Sequence, residues 1–418
     1  MVSRALVLAG FTLAVALVTA AASGADAPSA PPPAADATTP PEPAPVPVRL
    51  GVLTDETGIY ASAGGPGNVL AARLAIADQG GRVLGRPIDL RDADHKNDPT
   101  IATQILGDWF DAGVDAVAGL SGSGVALAAQ ALAPDRDKTL LIAGAAASEL
   151  TGTACQPTSS HWTEDTYAIA HSTAEAIVPS GGDSWFFLTV DDAFGHAMER
   201  DATEAVRSLG SLVLGDATHP RATTDFTRYL DAAKASRAKI IALADAGSDM
   251  TGVIQQADAA GIRSSGQSLA GLLVNITDIK AIGLAAAQRL YVTEGFYWDQ
   301  NDQARAFAKR FDAQAHHMPT KQQAATYASV RHYLQAVEAA GTIEARAVNA
   351  KMRALPVDFF GRPGLVRADG QVVYGLTLYQ VKSPTESQYA WDYLKKVRDI
   401  PAERAFRPVA DGGCPFAK

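Results

Sequence analysis

Cysteine is scarce: only Cys155 and Cys414 occur in 418 residues. That excludes a disulfide-dense scaffold and a thiolate metal cluster, both of which need several cysteines at short spacing. No Cys or His group has metal-ligand spacing. His316 and His317 are adjacent, so on a helix they would point about 100° apart and read as surface residues. Positive charge is not in excess either. Lys and Arg number 36 against 45 Asp and Glu, for a net charge of −9, and no basic run offsets this. A nucleic-acid partner is therefore not expected. A membrane-spanning run is also missing: the apolar stretch Ala5–Val18 falls short of the roughly 20 residues a helix needs to cross a bilayer.

That short run has another reading. Arg4 precedes it and Ala20-Ala21-Ala22 follows, the charged, apolar and small-residue pattern of a secretory signal peptide over residues 1–22. A retained anchor is the alternative, and no Cys near the cleavage site suggests a lipid anchor. In an exported chain an even cysteine count favours one disulfide, Cys155 to Cys414, over two buried thiols. Residues 23–47 are rich in Pro and Ala without apolar periodicity, so they read as an extended linker. Folded structure is expected from Val48, with room for two or three domains and, at 47% hydrophobic residues, ample core.

From Val48 strands and helices alternate. Val48–Leu53 is a strand, Asp55–Gly67 a Gly-rich loop carrying Tyr60, and the next helix shows Leu70, Leu74 and Ala77 on one face. Ile88–Arg91 is a second strand. Asp98-Pro99 reads as a cap followed by a helix-starting proline, with Ile101, Ile105 and Trp109 at spacing four behind it. Ala116–Gly119 and Leu140–Ala143 are further strands, the last followed by the small-residue loop Gly144–Glu149. This alternation implies a doubly wound parallel sheet whose ligand crevice lies at the carboxyl ends of its strands.

The most informative stretch is Val114–Ala133: strand, Gly/Ser turn, helix. Unpaired N–H groups at the helix start, with the Ser121 and Ser123 hydroxyls beside them, suit an anion, either a carboxylate or a phosphate. The serines could instead only cap the helix. Gly119–Gly124 (GLSGSG) is not a dinucleotide fingerprint, since it follows the third strand and no acidic ribose partner stands at the right distance. It also fails the G-x-S-x-G pattern of hydrolases, and no Ser, His and Asp set converges, so no enzyme and no cofactor are expected.

The pattern then restarts. Strands Trp185–Val190, Leu212–Gly215, Ile240–Ala244, Leu269–Gly271 and Leu290–Thr293 alternate with helices ending near Leu209, Ala235 and Ala260, with loops at Asp191–Gly195 and Asp245–Ser248. This is a second sheet of the same kind. Helices Ala304–Gln314, Lys321–Ala340 and Ala345–Leu355 are expected to return to the first lobe. Strands near Gly364–Arg367 and Gly375–Val381 follow, and a tail from Ala390 shows few clear elements. The fold expected is α/β: two doubly wound parallel-sheet lobes joined by a multi-strand hinge. Residues 48–163 and 297–372 fall in the first lobe, and residues 164–296 and 373–418 in the second.

Several segments together carry a family resemblance: VRLGVLTDETGIYASAGG, the Ser121–Ser123 turn, GAAASELTGTAC, DDAFGHAMERD, GLLVNITD and FRPVADGGCP. From Val48 to Lys418 the chain resembles the branched-chain-amino-acid type of periplasmic solute-binding protein. Such proteins feed ABC importers and have the type I periplasmic-binding fold. The resemblance implies a ligand site at Tyr60, at Ser121, Gly122 and Ser123, and at Ala145, Ala146 and Ala147, closed by Phe194, Ala246 and Leu273 from the second lobe. Trp162, at the first crossover, could stack on the ligand or pack the hinge, while Phe296-Tyr297-Trp298 marks the second crossover as hinge core. It further implies a periplasmic monomer with no catalytic residue, metal or cofactor, partnered by an inner-membrane ABC permease.

The departures bear on the ligand. Amino-acid-binding members tend to place an acid near Leu273, an aromatic residue near Ala246 and a Thr at Ala147. A buried ammonium without a partner costs several kcal/mol. The sequence therefore predicts an aromatic or hydrophobic carboxylate without an α-amino group, although Asp245 keeps branched-chain and other hydrophobic amino acids open. Presentation to a membrane sensor is the alternative role, since transport and sensing both use cleft closure.

Overall fold

The computed structural model describes residues 45–417, with residues 14, 16 and 17 besides. Apart from those three, the expected signal peptide and the linker up to residue 44 lie outside the described residues. Contacts divide the chain after Ala44, and the folded unit is Pro45–Lys418. The linker's last residues are tied down: Arg86 donates to the Val46 carbonyl at 2.6 Å and the Pro47 carbonyl at 3.1 Å. Among the described residues no helix is long and apolar enough to cross a membrane.

The first lobe opens with β1 (Val48–Thr54) and α1 (Gly65–Asp78), then the short hairpin of β2 (Arg82–Val83) and β3 (Arg86–Asp94). It continues through α2 (Pro99–Asp111), β4 (Ala116–Gly119), α3 (Ser123–Leu132), β5 (Thr139–Ile142) and β6 (Ser159–His161). The sheet order is β2-β3-β1-β4-β5-β6, parallel from β3 to β6. The chain leaves β1 on one side and comes back on the other at β4. That reversal opens a crevice at the strands' carboxyl ends. Residues alternate between faces, as strand geometry requires. Val48, Leu50 and Val52 belong to one core with α1, and Leu53, Val117, Leu140 and Ile142 to another with α2 and α3.

The second lobe repeats the plan with α4 (Thr166–Ile177), β7 (Ser184–Val190), α5 (Ala193–Ser208), β8 (Leu212–His219), α6 (Thr227–Ser236), β9 (Ile240–Ala244), α7 (Gly247–Ala259), β10 (Ser268–Gly271), α8 (Ile276–Ile282) and α9 (Leu284–Ala287). Its parallel sheet runs β10-β9-β7-β8, so the reversal lies between β7 and β9. Phe186 and Leu188 face one core, Trp185 and Phe187 the other.

The remaining chain builds the hinge and completes the first lobe: β11 (Tyr291–Glu294), α10 (Asp302–Ala315), α11 (Lys321–Ala340), α12 (Ala345–Ala354), β12 (Val357–Phe359), β13 (Arg362–Val366), β14 (Val372–Tyr374), β15 (Leu376–Val381) and β16 (Leu394–Ile400). Helix α11 packs on α1, so the three helices do return to the first lobe. Strand β11 does not join the second parallel sheet, as its apolar run suggests; it pairs antiparallel with β15 in a separate three-stranded sheet. The tail also differs from expectation. It contains β16, and beyond Ile400 it leaves the second lobe: Phe406 enters the first-lobe core, and Cys414 is disulfide-bonded to Cys155.

Two helix faces are shifted from their sequence reading. In α2 the buried row is Ala102, Leu106 and Phe110, while Ile101, Ile105 and Trp109 are half-buried. Trp109 lies over Gly51, where a Cβ would sit 2.2 Å from its ring. In α1, Leu70 is half-buried and Ala77 exposed, while Ala71, Ala72 and Ala75 are buried. This helix is sandwiched between the sheet and α11, so small residues on two faces allow close approach.

Candidate functional site

The two sets of carboxyl-end loops face each other across a narrow cleft, which holds a cavity of only about 20 Å³. From the first lobe come Tyr60, Gly122, Ser123, Ala145 and Ala146; from the second come Phe194, Ala246 and Leu273. Asn275 and Gln322, which the sequence reading did not single out, complete the wall with Ala63 and Gly144. Asn275 caps α8 and Gln322 sits in the first turn of α11, so both lie at helix starts aimed at the crevice, but on segments far from the glycine-rich turn.

Three expected site residues lie elsewhere. Ser121 is fully buried behind the wall, its hydroxyl 3.0 Å from the Thr54 hydroxyl, which also receives the Asn68 amide. Leu120 (φ +54°) and Gly122 (φ +82°) both adopt left-handed conformations, so the backbone twists between the serines and turns only Ser123 to the cleft. Ala147 is buried off the wall, its backbone N–H donating to the Ser123 hydroxyl. Trp162 is fully buried in the first-lobe core, with its indole N–H on the Ser160 hydroxyl and its ring against His332. Its role is packing near the hinge.

Ser123 is the link between the two first-lobe loops. Its hydroxyl oxygen accepts the Ala146 N–H at 3.3 Å and the Ala147 N–H at 3.1 Å. With its oxygen so engaged, its own proton remains to donate. Beside it, the first-turn N–H groups of α3 have no intrahelical acceptor and carry the positive end of the helix dipole. Hydroxyl and helix start together form an anion cradle.

The lobes are closed on each other. Tyr60 donates its hydroxyl to Asp192 across the cleft at 2.8 Å, and the other Asp192 oxygen caps α5 through the Gly195 N–H at 2.9 Å. Burial, and then the adjoining Asp192 carboxylate, raise the Tyr60 hydroxyl well above its ordinary pKa, so it stays a proton donor. Ser248 donates its N–H to the Ile59 carbonyl at 3.2 Å, Arg221 reaches the Asn97 carbonyl at 2.8 Å, and Arg200 clasps Ser148 and Glu149. At the tightest approach stands Gly247, with φ +59° and a virtual Cβ 2.0 Å from the Ile59 oxygen. Gly247→Ala should thus oppose closure. We expect ligand affinity at least about tenfold weaker, measured by titration calorimetry, since about 1.4 kcal/mol of strain against the closed form suffices. Unchanged affinity would show that closure does not need this contact.

Asp245 does not reach the cavity. Its side chain is wholly buried, with its carboxylate 3.0 Å from His219 Nε2. Burial works against a charged His219, but the Asp245 carboxylate outweighs it and raises the imidazole's pKa. With Asp249 these residues bring their ligating atoms within 4.8 Å of one another. They come from β8, the end of β9 and α7, a meeting that no sequence spacing reveals. Asp245 is thereby committed to His219 behind the Ala246 wall rather than to anything in the cleft.

Comparison with known proteins places these features in context. Residues 47–387 match the family model described as periplasmic binding protein. No curated protein matches the chain. A periplasmic binding protein from Burkholderia mallei is 39% identical with a TM-score of 0.87, over 89% of this chain and 99% of that one. A branched-chain amino acid ABC transporter periplasmic ligand-binding protein from Burkholderia xenovorans is 35% identical with a TM-score of 0.79, over 89% of this chain and 100% of that one. An ABC-transporter solute-binding protein from R. palustris, in complex with benzoate, shares the fold at 21% identity and a TM-score of 0.77, over 85% of this chain and 97% of that one.

Proposed function

The chain belongs to the periplasmic binding protein family, the solute-binding components of ABC importers, and from that premise we propose that it captures a small carboxylate with an aromatic or hydrophobic body. The carboxylate would rest on Ser123 and the start of α3. Tyr60, Phe194, Ala246 and Leu273 would enclose the body, with the backbone of Ala145 and Ala146 alongside. The observation that carries this reading is the second-lobe wall. Ala246 and Leu273 offer no charge, Asp245 behind Ala246 is held by His219, and Asp192 is engaged by the Tyr60 hydroxyl and the start of α5. An α-ammonium in that position would be buried without a counter-charge, at a cost of several kcal/mol. The same fold holds benzoate in the R. palustris protein, so the scaffold accommodates the ligand class.

Residues 1–22 would direct export, and the protein would work in the periplasm as a monomer, delivering unchanged ligand to an inner-membrane permease. A thermal-shift panel tests the ligand. At 100 times Kd a ligand stabilises by about 2.7 kcal/mol. Benzoate-like acids should give a shift of that size; strong shifts with leucine, isoleucine or valine and none with aromatic acids would overturn the reading.

A further inference from the structure

Behind the Ala246 wall, His219, Asp245 and Asp249 bring one imidazole and two carboxylates together out of water. His219 and Asp245 are 0% exposed and Asp249 is 1% exposed. Among the described residues no other group of three such side chains converges. The tautomer of His219 is set by its neighbour. Nδ1 lies 2.9 Å from the Pro220 carbonyl, which can only accept, so Nδ1 carries the proton and Nε2 is turned to the carboxylates. Nε2 and Asp245 Oδ1 are 3.0 Å apart but are not aligned for a hydrogen bond. Nε2 and both Asp245 oxygens are thus buried without a hydrogen-bond partner. Asp249 is fixed from outside the cluster, where it accepts the Ala222 N–H at 3.0 Å.

Close lone pairs that do not bond each other point to a shared third atom. Two ligands about 2.1 Å from one ion lie about 3.0–3.4 Å from each other, which matches the His219–Asp245 separation. The Asp249 ligand atom comes within 4.8 Å of both, a gap that a small side-chain rotation closes. Charge argues the same way, since two buried carboxylates beside one imidazole lack positive charge. The rings of Phe226 and Tyr229, 5.0 and 5.5 Å from the imidazole, supply an apolar outer shell. Only the exposed segment Pro220–Ala222 lies over the cluster, which gives an ion a short way in. We infer that His219, Asp245 and Asp249 form a site for a divalent transition-metal ion. The mixed nitrogen and oxygen donors, three in number with room for one water, suit Zn²⁺ best. The ion would be structural. It would tie together the ends of β8 and β9 and the start of α7, whose neighbours Arg221 and Ser248 bond to the first lobe.

The test is calorimetry of the untagged, chelator-stripped protein with zinc, manganese, calcium and magnesium chlorides. Zn²⁺ should bind one ion per chain with a Kd of about 1 µM or below, and should raise the melting temperature. Asp249→Asn keeps an oxygen for the Ala222 N–H. Outer-shell changes alone cost about 10–100-fold, so loss of this ligand should weaken Zn²⁺ by at least about 100-fold. A cooperative melt without metal would show that the variant folds. Exposed His196, 2.9 Å from Asp191, is the obvious surface competitor, and His196→Ala should leave Zn²⁺ affinity unchanged. The inference is overturned if Zn²⁺ binds no tighter than about 100 µM, if Asp249→Asn binds it like the parent, or if His196→Ala abolishes binding. Tighter binding of calcium or magnesium than of zinc or manganese would overturn the transition-metal assignment.

Discussion

Lys321→Ala is expected to cost about 3–5 kcal/mol of stability, the penalty for leaving the buried Glu164 carboxylate without its counter-charge. Lys321 begins α11 and is nearly inaccessible. Its ammonium lies 2.7 Å from Glu164 and 3.5 Å from Glu294, and donates to the Thr293 carbonyl at 3.2 Å. Glu164 stands in the first crossover between lobes and Glu294 at the end of β11, where the second begins. One cation thus fastens two hinge segments to the first lobe. Urea unfolding at neutral pH should show the loss as a lower midpoint. The triple change Lys321→Met, Glu164→Gln and Glu294→Gln should recover most of it, because no buried charge is then left unpaired. A loss below about 1 kcal/mol in Lys321→Ala would mean that no buried carboxylate there depends on the ammonium.

The same group makes a pH prediction with a definite sign. Two carboxylates share one ammonium. Burial first, against the pull of Lys321 and with repulsion from Glu164, pushes Glu294 up to about 8 from an ordinary 4.5. The folded protein then holds a proton on Glu294 that the unfolded chain releases above about 4.5. This contribution to stability is complete below that value, declines as pH rises, and is gone once pH passes about 8. Glu294→Gln keeps a neutral group at all pH values, so the decline between pH 5 and 8 should flatten. An equal slope in the variant would place the titration elsewhere.

How far the sequence reveals this molecule depends on whether a signal is local. Strands buried on both faces, such as Ala116–Gly119 and Ile240–Ala244, stand out as short apolar runs with the observed bounds. The cap at Asp98 is equally local: its carboxylate accepts the Thr100 N–H at 2.7 Å and the Ile101 N–H at 3.3 Å, with Pro99 opening the helix. Strand β16 is hidden because LKKVRDI carries a charge at most of its positions, leaves Val397 exposed and buries only its two ends. The anion turn is visible as composition, yet which serine faces the cleft is decided by a left-handed Leu120, a conformation that side-chain patterning does not encode. The trio of His219, Asp245 and Asp249, the Tyr60–Asp192 latch, and the arrival of Asn275 and Gln322 at the cavity all depend on tertiary approach of distant segments. Under the proposed carboxylate reading those features would bear on specificity, so the sequence reveals the proposed anion end of the cleft better than the end that would select the ligand.

Removing the disulfide, by Cys155→Ser with Cys414→Ser, is expected to cost about 2–5 kcal/mol. The bond joins residues 259 apart in sequence, so it closes a loop that contains the entire second lobe. In the chain-entropy account longer loops restrict the unfolded state more, reaching about 4.7 kcal/mol at 100 residues, which puts this bond toward the upper end. Its position matters as well as its length. Cys155 follows the Ser148–Glu149 segment that Arg200 clasps from the second lobe, and the tail leading to Cys414 sends Arg407 to the Ser148 carbonyl at 2.8 Å. Losing the bond releases the tail from the loop that meets the closing lobe, so ligand affinity should fall along with stability. Urea midpoints of oxidised protein, protein reduced with a thiol, and the double variant separate these effects. Reduced protein and double variant should coincide, both below the oxidised form. A difference under about 1 kcal/mol, or non-reduced peptides with both thiols free, would show that the tail is held by Phe406 burial and the Arg407 bond rather than by the cross-link.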